Sequence, residues 1–91
     1  MLFLVKVRVN TDSLFEYGQQ LQSGSITTHP LSTYCLADDP EVGLNIWEAD
    51  DRDSLNEAFA PHAPYSRILE VVPVITAQEA QRLLIERTSG S

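Results

Sequence analysis

Cysteine, basic side chains, glycine and long apolar runs are all scarce in this 91-residue chain. Cys35 is the single cysteine, so no intrachain disulfide can form, and a free thiol suits a reducing compartment. A cytoplasmic location is therefore expected. Six Lys and Arg stand against thirteen Asp and Glu, a net charge of −7. Such a balance repels a phosphate backbone, and no nucleic-acid partner is expected.

The apolar start, Met1 to Val5, is followed at once by Lys6, Val7 and Arg8 and lacks the pattern of a signal peptide. Val71 to Ile75 is far short of the roughly 20 residues that cross a bilayer, so no membrane partner is expected either. Gly18, Gly24, Gly43 and Gly90 form no phosphate-cradling loop, and no serine sits in a nucleophile elbow. Nucleotide binding and serine hydrolysis are disfavoured, and no cofactor is called for. His29, His62 and Cys35 are scattered, and Glu48, Asp50, Asp51 and Asp53 lack the spacing and glycine turn of a hard-cation loop. No metal site is expected from them.

What the chain does have is a 43% apolar content spread along its length. That supports one ordinary core in one domain, residues 1–86, followed by a small polar tail at 87–91 expected to be flexible. A chain this short buries only about 60 to 65% of the surface its unfolded form exposes, so association would help it.

The elements follow from period and capping. Phe3, Val5, Val7 and Val9 alternate with Lys6 and Arg8, the signature of a half-buried strand. Asn10 to Asp12 offer capping oxygens for a helix from Asp12 to about Gln22, with Leu14, Gly18 and Leu21 at helical spacing and Gly24 as its stop. The polar stretch from Gln22 to Leu31 reads as a loop. Ser32 to Ala37 and Gly43 to Glu48 then form a hairpin across a turn containing Asp38, Asp39, Pro40 and Glu41.

Asp51 caps a second helix, Asp53 complements its dipole, and Leu55, Ala58 and Phe59 make its buried stripe before Pro61 and Pro64 end it. Ile68 to Val74 is a fourth strand whose Pro73 belongs at a sheet edge. Thr76 to Glu79 spell a capping box, opening a third helix that runs to about Glu86. The order β-α-β-β-α-β is the split βαβ, or ferredoxin-like, α+β arrangement: a four-stranded antiparallel sheet, usual strand order 4-1-3-2, with both crossover helices on one face and here an extra C-terminal helix.

Alternation assigns Lys6, Arg8, Tyr34, Asn45 and Trp47 to the helix-free face of that sheet. Leaving Trp47 in water there forgoes roughly 2 to 3 kcal/mol, so a second copy of the chain is the expected cover. The five side chains would then line a pocket between sheet and partner and hold a small organic molecule.

Met1-Leu2-Phe3, Val5, Ile46-Trp47-Glu48, Asp51, Leu55, Pro64-Tyr65, Glu70-Val71 and Pro73 together resemble the muconolactone isomerase-like family of dimeric α/β-barrel proteins, including its short members of no assigned function. The likeness covers both ends and the second half of the chain and consists of core and turn positions. It implies a fold and a tendency to form homodimers or higher oligomers, and it transfers no catalytic residue. Lys6 stands where that family favours a basic side chain. Leu4 replaces a residue that can be polar there, and the segment between the first two strands is shorter and less charged.

If the chain is an enzyme, a cofactor-independent isomerase acting on a small lactone or enol is the expected type. His62 or Glu48 would carry the proton and Lys6 would stabilise the enolate oxygen. His29, in a polar loop beside Pro30, and Cys35, in a strand, have ordinary structural readings.

Overall fold

A computed structural model describes residues 1–89. The alternating apolar residues of Leu2–Val9 form β1, and Val42–Glu48 (β3) and Ser66–Val74 (β4) pair antiparallel on either side of it. Ser32–Cys35 (β2) pairs antiparallel with β3, giving a four-stranded sheet in the order β2-β3-β1-β4. β4 lies at an edge, bonded only to β1, where the missing N–H of Pro73 costs no ladder bond. A register shift between Lys6 and Val7 interrupts the β1–β4 ladder.

The first helix forms in two steps. Asn10 accepts a hydrogen bond from the Asp12 amide at 3.0 Å and opens a 3-10 turn over Thr11–Ser13, which passes into α1, Leu14–Gln22. Gly24, at φ 79°, takes the left-handed conformation that ends it. The expected stripe of Leu14, Gly18 and Leu21 is not a core contact: α1 has no buried residue, and Leu14 and Leu21 are exposed. Tyr17 holds it instead, stacked on Tyr65 with ring centres 4.9 Å apart.

Arg52–Phe59 is α2, capped by Asp51, whose carboxylate accepts from the Ser54 amide at 2.8 Å. That bond holds the Asp51 carboxyl below its usual range. Leu55 and Phe59 face inward and join Phe3, Val5, Val7 and Trp47 in the core. A 3-10 turn over Ala60–His62 follows and buries His62.

Ala77–Ser89 is α3, three residues longer than expected from its sequence. Thr76 Oγ accepts from the Glu79 amide at 3.1 Å, one arm of the capping box, while the Glu79 carboxylate turns to Arg82. Of the tail expected at 87–91, residues 87–89 complete this helix and 90–91 lie outside the described residues. α3 buries none of its residues and leaves Leu83, Leu84 and Ile85 exposed. The radius of gyration is 16.0 Å, against about 12 Å for a compact chain of this length. A helix lying outside the core accounts for the difference.

One expectation fails at the level of the sheet. Strand pairing sets Trp47 directly opposite Phe3 and Asn45 opposite Val5, so both side chains share the face that α2 covers. Trp47 is 3% exposed, with its ring edge-on to Phe59. The helix-free face instead carries Leu2, Leu4 and Lys6 from β1, Leu44, Ile46 and Glu48 from β3, and Tyr34 from β2. Lys6, Arg8 and Tyr34 are thus separated from Asn45 and Trp47 by the thickness of the sheet. The reason is that β3 alternates two sets of side chains, and only its register with β1 decides which set meets the core.

Candidate functional site

The sheet face that carries the core runs past the end of α2 and becomes the floor of a cavity. β1 contributes Val7 and Val9, β3 contributes Gly43, Asn45 and Trp47, and β2 contributes Thr33 and Cys35. Thr33 is opposite Asn45 and Cys35 opposite Gly43, so the floor is one continuous patch of pleated surface. Tyr17 and Leu21 of α1, His29 and Pro30 of the loop, and Phe59 and His62 form the walls. It is open to solvent on one side and has a volume of about 310 Å³, within the range of small-molecule sites. Gly43 packs closely against its cross-strand neighbour: a Cβ there would meet Val7 Cγ2 at 3.2 Å.

His62 is held on both ring nitrogens. Its Nε2 is 2.7 Å from the carbonyl oxygen of Thr28, and a carbonyl only accepts, so Nε2 carries the proton. Nδ1 is then the acceptor, and the Tyr17 hydroxyl donates to it at 2.6 Å. Thr28 is fixed in turn, its hydroxyl donating to the Ala58 carbonyl at 2.6 Å. The imidazole stacks on Phe59 and meets Trp47 edge-on. Burial pushes the His62 pKa down, the Thr28 bond opposes that shift, and the nearby His29 adds to it. Burial raises the Tyr17 hydroxyl. Both changes favour the neutral pair.

Asn45 is the unusual residue of the floor. It is 8% exposed, in the middle of a core strand, and its carboxamide has no hydrogen bond to the described residues. Among those residues the Trp47 Nε1 is the one side-chain polar atom both sealed from solvent and unpaired. The Asn45 amide atoms therefore reach open space, and that space is the cavity. An occupant that sealed off that amide without pairing it would incur about 1 to 3 kcal/mol.

The expected site residues divide into two groups. Asn45, Trp47 and His62 meet at the cavity, together with His29 at 29 and Cys35, the latter two exposed at its margin. Lys6 and Glu48 lie on the other face of the sheet, so they do not join His62 within one chain. Tyr34 is 67% exposed on that face. Arg8 pairs with Asp39 at 3.3 Å and Glu41 at 3.1 Å and braces the β2–β3 turn. No group of three or more potential metal ligands occurs among the described residues.

Tyr17, Phe59, Thr33 and Gly43 were not legible as site residues. Tyr17 had a weak signal, since it stands four positions before Leu21 on the same side of the helix. The chain matches no protein-family model, no characterised protein and no solved structure.

Proposed function

We propose that this chain is a small homo-oligomeric binding protein of the ferredoxin-like, dimeric α/β-barrel kind, holding a small organic molecule in the cavity between α1 and the sheet. The observation that carries it is Asn45, a buried amide with no hydrogen-bond partner among the described residues, on the floor of a 310 Å³ cavity. The element order and the strand order β2-β3-β1-β4, read from either edge, support the fold name.

The uncovered sheet face supports pairing of two copies. Leu2, Leu4, Leu44, Ile46, Val72 and Val74 make it largely aliphatic, with Lys6 opposite Glu70 as a charged pair. Four strands of this length present roughly 500 Å² in projection, less than the roughly 800 Å² per partner of a stable interface. Leu83, Leu84 and Ile85 of α3 are exposed as well and add further apolar surface.

Two measurements test this reading. Solution mass by sedimentation is expected to show a dimer or larger assembly that survives dilution, and Ile46→Lys is expected to give a folded monomer. A monomeric wild type at all concentrations overturns the pairing. A thermal-shift and ligand-observed NMR screen of small organic molecules is expected to find binders that Thr33→Trp, which fills the cavity from its rim, no longer takes. Binding that ignores this substitution places the ligand elsewhere.

The second reading is a cofactor-independent isomerase of the muconolactone type. The Tyr17 hydroxyl bonded to His62 in the cavity wall favours it. A proton arriving on the Tyr17 oxygen would pass the tyrosine's own proton to Nδ1, giving an imidazolium still anchored on Thr28. Lys6 and Glu48 face away from this cavity, so His62→Gln is expected to abolish turnover of an unsaturated lactone while Lys6→Ala leaves it intact. Absence of turnover at high protein concentration counts against catalysis and leaves binding standing.

A further inference from the structure

The walls of the cavity define what can sit in it. Among the described residues no Asp, Glu, Lys or Arg lines it; besides Asn45, Tyr17 and His62 its polar groups are His29, Thr33, Cys35 and Ser66, so a charged ligand group would find no carboxylate, ammonium or guanidinium there. The two ring nitrogens of His62 are already engaged by Tyr17 and Thr28. The chain as a whole carries a charge of −7, which adds repulsion for an anion. Val7, Val9, Leu21, Pro30, Trp47 and Phe59 supply a mainly apolar lining.

Against this background Asn45 is a built recognition point. Its amide offers one acceptor oxygen and two donor hydrogens to the cavity and receives nothing from the described residues. The Tyr17 hydroxyl, which donates its hydrogen bond to His62 Nδ1, keeps oxygen lone pairs to accept a further one. At interior packing density, 310 Å³ accommodates roughly a dozen non-hydrogen atoms.

Building on the cavity reading above, we propose that the ligand is an uncharged, ring-sized molecule carrying a hydroxyl or similar donor-acceptor group, selected by the Asn45 carboxamide. A site built around an unpaired amide rejects the analogue that lacks the matching group, because the amide is then left desolvated and alone. An anionic or cationic analogue of the same size is rejected for want of a partner charge.

Trp47 is the only tryptophan and lines the cavity, so its fluorescence reports occupancy. The probes are p-cresol, toluene, benzoate and benzylammonium, titrated into the full chain at pH 7.5. p-Cresol is expected to bind at least tenfold more tightly than toluene, with benzoate and benzylammonium weaker still. Asn45→Leu is expected to erase the p-cresol preference while toluene binds as before.

Equal binding of p-cresol and toluene, or tightest binding of either ion, overturns the ligand class but leaves the cavity reading in place. Failure of all four probes to perturb Trp47 overturns both. The wild-type series alone decides these outcomes if the Leu variant does not fold, and Asn45→Asp, which puts a carboxylate on the floor, then supplies the second test: p-cresol retained and benzoate lost further.

Discussion

Mild acidification interrogates the buried state of His62. In the folded chain burial holds its pKa below the ordinary 6.5, whereas in the unfolded chain the ring is in water. Above pH 6.5 both states carry a neutral imidazole and the folded chain has its full stability. As pH falls below 6.5 the unfolded state takes up a proton first, so unfolding is favoured, and the loss is complete once pH passes the folded-state pKa. One proton gives a slope of at most about 1.4 kcal/mol per pH unit within that window.

Urea denaturation at fixed protein concentration between pH 7.5 and 5 measures this slope. The other depressed groups, Asp51 and Glu79, titrate from ordinary values of 3.8 and 4.5, so their contributions are lost at lower pH and lie outside the window. His62→Gln keeps a hydrogen-bonding side chain near Thr28 and cannot titrate. The wild type is expected to lose stability steadily below pH 6.5 while the variant stays flat. A flat wild-type profile, or an equal slope in the variant, refutes a neutral His62 locked between Tyr17 and Thr28.

Leu55 is fully buried in the core, and Leu55→Ala is expected to cost about 3 to 5 kcal/mol, read as a lower urea midpoint at unchanged slope. Arg8 is a contrasting case. Its two ion pairs with Asp39 and Glu41 are well exposed to solvent, so Arg8→Ala is expected to cost less than about 1 kcal/mol and to cost less still in high salt. A larger, salt-insensitive loss would mean that the arginine stem, packed along the sheet, carries the effect.

The elements were legible in the sequence because each is governed by local chemistry. Period-two alternation marked β1, the Asp51 cap and the Leu55 to Phe59 stripe marked α2, and Pro73 marked an edge strand. Thr76 marked the start of α3. The packing of α1 was not legible. A stripe of Leu14, Gly18 and Leu21 has the right spacing for burial, but the structure fixes this helix through Tyr17, whose partners Tyr65 and His62 lie more than forty residues away in sequence.

The face assignment of β3 shows where sequence patterning loses information. Leu44 and Ile46 are the more aliphatic set, and burying them would satisfy the alternation rule with Asn45 and Trp47 outside. The pairing with β1 does the reverse, because Phe3, Val5 and Val7 must share a face with whichever β3 residues stand directly opposite. The result buries an asparagine in a core strand and leaves an aliphatic surface facing outward, two local conflicts within one strand. The second copy proposed above would cover the outward face, and the proposed hydrogen-bonding ligand would pair with Asn45. A strand that breaks the simple pattern on both faces is therefore the part of this chain where function is best sought.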